Sequence, residues 1–421
     1  MKINIFKIVN DLFPIHRSIT GPGIKASMKY IENIVQEFKR IKFKSGTKVF
    51  DWLVPNEWII KDAYILDEKN KKHADFKKNN LHIVGFSYPI KKFIKKKELF
   101  NHIFTIKNLP TSIPYVTSYY KKNWGFCMSE SQKKKLKGNK FKVVIDSQFK
   151  KGHLELTHCV FPGKSKKEIF FSSYLCHPSM ANNELSGPAV LTKIANYVKN
   201  LKNRKYSYRF VILPETIGSI CYINKFRKQL KKNIICGFNL SCVGDDNSYS
   251  HISSRENNTL ADQALSAALI NKKKVKNYSF LTRGSDERQY CSPLVDLPVC
   301  GFSRSKYSEF KEYHTDKDNL EYVSEKGLEN SFDVMKTIID AFENCYLAKS
   351  KIICEPMLSK RKLHPTISVK GGYPESVILR RDIIAYSDGK KNIFQISKIL
   401  NKSLKLVINE TINLKNNDIL S

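Results

Sequence analysis

The apolar positions change their period along the chain, and the changes mark its organisation. A first amphipathic helix starts within Met1–Asp11, and between Ile24 and Arg40 a second stretch places Met28, Ile31, Ile34, Val35 and Phe38 on one face. That spacing predicts a helix over 24–40. The turn Ser18-Ile-Thr-Gly-Pro-Gly23 separates the two, because its glycines and proline interrupt the periodicity. From Ser45 the period shortens to two. Thr47–Val54 alternates as a strand does, and Trp58–Ile65, Leu81–Val84 and Lys142–Asp146 read as further strands. Together with Pro110–Tyr119 and Trp124-Gly-Phe126 they predict a β-rich insertion over residues 46–152, whose aromatic residues are read as core.

From about residue 153 strands and helices alternate. Strands are expected at Ile169–Leu175, Tyr208–Leu213, Ile234–Ser241 and Leu297–Phe302, and helices at Pro188–Asn200, Gly218–Lys228, Thr259–Ile270 and Glu325–Glu343. Such alternation predicts an α/β domain, made of residues 1–45 and 153–350, with a mostly parallel sheet and helices on both faces. Beyond Lys349 a basic, proline-marked connector runs from Cys354 to Thr366. Short helices are then expected at Ser376–Ser387, Asn392–Asn401 and Leu404–Leu414, so residues 351–421 read as a linker and a small helical module of helix-turn-helix or winged-helix type. Folds of that type often serve protein contacts, which makes a protein partner or self-association through this module the expectation, ahead of DNA.

Composition narrows the classes. With 421 residues, 41% hydrophobic and 11% aromatic, the chain has core enough for two or three folded domains and does not read as disordered. The net charge of +34 invites an anionic partner. However, the lysines lie in short scattered runs, such as Lys95–Lys97, Lys133–Lys135 and Lys272–Lys274, which read as solvated faces, so nucleic acid is not the expected partner. No apolar run approaches the roughly 18 residues of a membrane span, and the amino terminus lacks a small-residue cleavage site. The expectation is a cytoplasmic protein without membrane contact. The ten cysteines form no CxxC pair and read as reduced core residues.

The chemistry gathers just beyond the predicted strands. After the first come His177, Asn182, Asn183, Glu184 and Ser186; after the second, Pro214-Glu215-Thr-Ile-Gly-Ser219; after the third, Cys242-Val-Gly-Asp245-Asp246. Arg283-Gly-Ser-Asp286-Glu287-Arg288-Gln289 and Glu312-Tyr-His314-Thr-Asp316-Lys-Asp318 follow. Open α/β sheets place their chemistry at the carboxyl ends of strands. Two histidines and several carboxylates at one sheet edge make a ligand set suited to zinc, with a carboxylate to spare for proton transfer. Each residue also has a structural alternative. His177 and Asn182 suit a helix cap, Asp245 a turn, Glu215 the cap of the following helix, and Asp286 a pair with Arg283 or Arg288. Histidines without such company, among them His16, His82 and His153, read as structural.

At these residues the sequence resembles the aminopeptidase-like proteins of bacterial polysaccharide-biosynthesis loci, relatives of the zinc aminopeptidases of the bacterial leucyl aminopeptidase type. The resemblance is carried by Leu12–Gly21, Ser45–Trp52, Ser118–Cys127, Cys176–Gly187, Pro214–Ser219, Gly284–Pro293 and Glu312–Thr315. It implies a zinc-peptidase-like α/β domain, a β-rich inserted domain and a small C-terminal winged-helix domain. It also implies that His177 and His314 are metal ligands and that Glu215 takes a proton from water and passes it to a leaving amine. Asp286 is expected in the same machinery, with Arg288, Gln289, Asn182 and Asn183 binding substrate. The family's bridging aspartate is here Asn183, and a second aspartate is Ser241. An asparagine cannot neutralise two dications, which favours one zinc over two, with Glu184 or Asp245 as third ligand. The expected activity is zinc-dependent hydrolysis of a small peptide or amide. The alternatives are a catalytically degenerate binding protein and, more remotely, a DNA-binding regulator.

Overall fold

The computed structural model describes residues 3–365, 370 and 372–421; Thr366, the last residue of the expected connector, lies outside them. Helix Ile5–Leu12 buries Ile5, Ile8, Val9 and Leu12, the single face its spacing predicts. The second helix runs from Pro22 to Ile34, not to Arg40, and Val35 turns extended at φ −125° and ψ 93°. The residues after it, Lys39–Lys44, form a strand at the edge of the main sheet, antiparallel to His153–Phe161. Arg40-Ile-Lys-Phe-Lys44 alternates with period two, and a long-range partner decides between that pattern and the helical one.

The central sheet has eight strands. Their spatial order is Lys39–Lys44, His153–Phe161, Ser207–Leu213, Glu168–Tyr174, Ile234–Leu240, Val299–Ser303, Tyr249–Ile252 and Val275–Tyr278. The four strands in the middle are parallel, as expected. Antiparallel neighbours flank them on both sides, and a further parallel pair closes the far edge, so the sheet is mostly parallel with antiparallel members. Glu168–Tyr174 and Ser207–Leu213 are buried along their whole length, the pattern of strands covered on both faces.

The insertion carries its own four-stranded antiparallel sheet, ordered Lys72–His73, Glu57–Leu66, Lys140–Lys150 and Ile90–Lys95. Trp58 sits in its core, giving its indole N–H to the Ser87 carbonyl at 2.9 Å and packing on Phe86 and His16. One stretch of the insertion turns back to the α/β domain. The Tyr115 amide donates to the His314 carbonyl at 2.8 Å, and Pro114 bridges to Thr315.

At the C-terminal end, helices Glu375–Tyr386, Ile393–Leu400 and Leu404–Asn416 follow the predicted positions. The last two pack against Leu260–Leu269 and Glu325–Cys345, and Glu375–Tyr386 packs on Ile393–Leu400 and Leu404–Asn416. Among the described residues this module has isolated bridges, Lys349 to Asp388 and Ser350 to Leu420, and no paired hairpin to serve as a wing. Among the described residues no helix is long and apolar enough to cross a membrane. All ten cysteines are free, and only Cys354 is exposed.

Candidate metal centre

The strand Glu168–Tyr174 leads into a loop, and Ala181–Leu185 then makes a π-helical turn that feeds helix Ser186–Lys199. Single π turns inside helices recur at functional sites. Asp318 holds this one: its two carboxylate oxygens accept the amides of Asn182 (2.6 Å) and Asn183 (2.8 Å). Gly187 lets the helix lie on the sheet, since a Cβ there would come within 2.2 Å of Ser173 Oγ and 2.7 Å of the Leu240 carbonyl.

His177 is fixed from one side. Its Nδ1 lies 3.0 Å from Glu184 Oε2. A carboxylate accepts, so Nδ1 carries the proton and Nε2 presents its lone pair. The other Glu184 oxygen takes the Cys176 amide and lies 3.5 Å from Arg17 Nε. Arg17 is itself buried and donates to the carbonyls of Leu12, Ile15 and His177. Glu184, expected as a third ligand, is thus spent on orienting the histidine, an arrangement that sets the tautomer of metal-binding imidazoles. Cys176 Sγ lies beside the same nitrogen at 3.3 Å. Burial, with the Glu184 and Glu215 charges, pushes its thiol well up.

The Nε2 side is different. Glu215 Oε2 stands 3.9 Å from it, and the His314 ring centroid is 5.4 Å from that of His177. Burial lowers the His177 pKa, but the Glu184 hydrogen bond and charge outweigh it and raise it overall. His314 is lowered to about 3 by burial and by His177, which keeps it neutral and able to ligate. Glu215 follows the strand Ser207–Leu213 through Pro214, and the next residue, Thr216, takes φ 65° and ψ −76°. A β-branched residue rarely adopts positive φ, and such outliers persist only where their surroundings impose them. Here the Thr216 amide donates to Asp286 Oδ1 at 2.8 Å and its hydroxyl accepts from Arg288. Ser219 Oγ also donates to Asp286 Oδ1, at 2.7 Å. Asp286 Oδ2 and Arg288 Nε are buried without a hydrogen-bond partner. Burial raises Glu215 against the pull of His177 and Arg288. Burial and the Glu215 charge raise Asp286 to about 7.

The structure therefore brings together His177, His314, Glu215, Asp286 and Arg288. It does not bring Asp245 to them. Asp245 Oδ1 accepts from Asn247 N and Ser305 Oγ (both 2.8 Å), and its Oδ2 accepts from Asn182 Nδ2 (3.0 Å) and Ser305 N (2.9 Å). With its acceptor positions filled it braces turns, the structural alternative. Asn182 Oδ1 takes the Gly244 amide at 2.8 Å, and Asn183 Oδ1 takes the Tyr174 hydroxyl at 2.9 Å. Both asparagines expected to bind substrate are thereby committed to the protein. Gln289 joins the cluster through its backbone, its amide donating to the Asp286 carbonyl at 2.9 Å.

Three contributors escape sequence reasoning. Arg17 and Asp318 lie inside stretches that stand out in the sequence, but their roles depend on contacts across the fold. Tyr115 carries no local signal. Read as insertion core, it instead packs against both histidines, with ring centroids 4.8 Å from His177 and 5.1 Å from His314. The chemistry of the donors, two imidazoles beside a carboxylate and an unpartnered buried Asp286 oxygen, fits a zinc ion.

Known proteins resemble this chain over most of its length. Residues 6–345 match the family model described as a domain of unknown function, DUF4910. A Clostridium acetobutylicum protein, named as a candidate polysaccharide biosynthesis protein with an aminopeptidase-like domain, is 40% identical over 397 residues, 93% of this chain and 90% of its own. A crystal structure of a candidate peptidase from the same organism superposes with a TM-score of 0.90 at 36% identity, covering 99% of this chain and 95% of that one. A zinc aminopeptidase from Bacillus subtilis shares the fold at 13% identity, with a TM-score of 0.59 over 80% of this chain and 93% of its own.

Proposed function

The chain belongs to the DUF4910 family and is an aminopeptidase-like protein, and on that premise we propose that it hydrolyses a peptide or amide bond at a zinc site, in a role linked to polysaccharide biosynthesis. The observation that carries the reading is His177, whose Nδ1 is held by Glu184 while its Nε2 faces Glu215 and the neighbouring His314. His177 and His314 would hold the ion. Bound zinc supplies Lewis acidity, which polarises a carbonyl and makes water more acidic.

The rest is done by side chains. Glu215 is 23% exposed at its side chain, enough to meet substrate, and its raised pKa suits a group that takes a proton from the attacking water and returns it to the leaving amine. Asp286, buried beside it, holds a proton near neutrality, so the pair need not carry two full charges at once. Arg288 offsets the charge that remains, and its Nε is buried without a partner among the described residues. One ion fits better than two, because Asn183 is tied to Tyr174 and Ser241 lies 3.4 Å from the Ser303 hydroxyl, so neither supplies a bridging carboxylate.

The test is elemental analysis of purified protein followed by an amide-substrate screen. Near-stoichiometric zinc and a hydrolysed amide support the reading. Metal-free protein whose Glu215→Gln variant works as well as the parent would sink it. A second reading, a degenerate member that binds its ligand without cleaving it, draws on the commitment of Glu184 and Asp245 elsewhere, which leaves the histidines short of a third ligand. Tight binding of an amide that is never cleaved by zinc-loaded protein would favour it.

A further inference from the structure

We propose that the β-rich insertion is a working part of the metal centre: its stretch Ile113–Tyr119 clamps the loop that carries His314 and sets where that imidazole points. The proposal rests on the reading of His177 and His314 as the histidines that hold the metal.

His314 is held in an unusual place. Its φ is 56°, in the left-handed region that a non-glycine residue occupies at a cost and keeps only when neighbours impose it. Its own turn, closed by the Thr315 amide on the Glu312 carbonyl at 3.1 Å, is one such constraint, and the others come from the insertion, some two hundred residues earlier in the chain. Ile113 and Asp316 exchange two hydrogen bonds, the Ile113 amide to Asp316 Oδ1 at 2.7 Å and the Asp316 amide to the Ile113 carbonyl at 3.0 Å. The Tyr115 amide then donates to the carbonyl of His314 itself at 2.8 Å, and Pro114 bridges to Thr315. The clamp thus grips the loop from the histidine's own carbonyl through Thr315 to Asp316.

The side chains continue the grip. Tyr313 stacks on the His314 imidazole at 3.9 Å between centroids, and Tyr115 meets it edge-on at 5.1 Å, an interplanar angle of 86°. Tyr115 also touches His177 at 4.8 Å, so one ring packs against both imidazoles. Its hydroxyl points away, to that of Tyr119 at 2.9 Å. What the site uses is therefore the face and edge of Tyr115, not its hydroxyl. His177 is positioned by its own domain through Glu184, Arg17 and Asp318. Among the described residues no carboxylate hydrogen-bonds to the His314 ring, and the insertion takes the place of one. Tyr115 and Asp316 are positioning residues.

The experiment measures zinc affinity directly, by competition with a chromophoric chelator, on full-length protein. Tyr115→Ala and Asp316→Ala should each weaken zinc binding by roughly 10–100-fold, the range found when groups supporting a ligand are removed. Tyr115→Phe, which keeps the ring, should bind as the parent does. Circular dichroism and thermal melting check that each variant folds. Should Tyr115→Ala fail to fold, hydrogen exchange on the parent protein decides in its place, with slow exchange of the Tyr115 and Asp316 amides expected and exchange at loop rates counting against the clamp. Unchanged affinity in Tyr115→Ala and Asp316→Ala, with affinity lost in His314→Ala, overturns the clamp and leaves the metal reading standing. Parent protein that binds no zinc, or binds it regardless of His314→Ala, overturns the metal reading and the clamp with it.

Discussion

Two clusters in this molecule each combine a cysteine, a histidine and a carboxylate. Cys176, His177 and Glu184 form one, and His251, Asp262 and Cys300 the other. In both, a histidine nitrogen lies 3.0 Å from a carboxylate oxygen, and all six residues are buried. What separates them is what is left over. Asp262 accepts from the amides of Ser254 and Thr259 (both 2.9 Å) and from both hydroxyls, capping helix Leu260–Leu269. Among the described residues the remaining His251 nitrogen meets only the Ser266 hydroxyl, at 3.4 Å. Around His177 the surplus is chemical: a free Nε2, a second histidine, a carboxylate reached by solvent and two buried atoms without partners. A metal-ligand composition is common in folded cores. Unspent lone pairs facing one another are not.

The sharpest way to break this contrast is to exchange a carboxylate for an amide in each cluster's vicinity. Glu215→Gln should lower kcat/KM on a cleaved amide by about 10²–10⁴-fold, the usual worth of a positioned acid–base group. Asp262→Asn should leave kcat/KM within about threefold, and a loss as large as that of Glu215→Gln would show that the second cluster also serves the reaction. Next in size is Glu184→Gln. Removing the charge that fixes the His177 tautomer should weaken zinc by roughly 10–100-fold in chelator competition, whereas Asp262→Asn should not change zinc affinity. Equal affinity in the parent and Glu184→Gln would return Glu184 to the role of a packing residue.

The stability effects are smaller and run the other way. Asp262→Ala strips the cap from a helix and leaves the buried His251 N–H unpaired, at a cost of about 1–3 kcal/mol in urea denaturation. The smallest effect is its pH dependence. Burial raises the Asp262 pKa, but hydrogen bonds from His251, Ser254 and Thr259 outweigh it and bring it down to about 2. A depressed carboxylate stabilises the fold fully above its unfolded-state pKa and loses that contribution as pH falls through the folded value. The stability gap between parent and Asp262→Ala should therefore hold above pH 4, to within about 0.3 kcal/mol, and narrow toward pH 2. A gap that widens with acid would mean the aspartate is not ionised in the native state.

Much of the fold was legible because it rests on local periodicity. The strands Glu168–Tyr174 and Ser207–Leu213 and the helices Ser186–Lys199 and Glu325–Cys345 lie within a few residues of their predicted positions. The failures share a cause. Lys39–Lys44 became a strand because His153–Phe161, over a hundred residues away, offered it a partner. Of the candidate site residues, His177, His314, Glu215, Asp286 and Arg288 meet. Asp245 and Asn182 are instead spent on each other, 63 residues apart in the chain.

By itself, then, the sequence determined which elements form, since helix and strand periods are properties of a few consecutive residues, and which corners of the sheet carry ligand-type side chains. The tertiary structure decided which of those side chains remain free to act. A carboxylate is a ligand, a base or a brace according to the donors around it, and at Glu184, Asp245 and Asp262 those donors include groups from other elements of the fold. The same holds for Tyr115: nothing near it in the chain marks it, and only folding of the insertion onto residues 314–316 places it against both histidines.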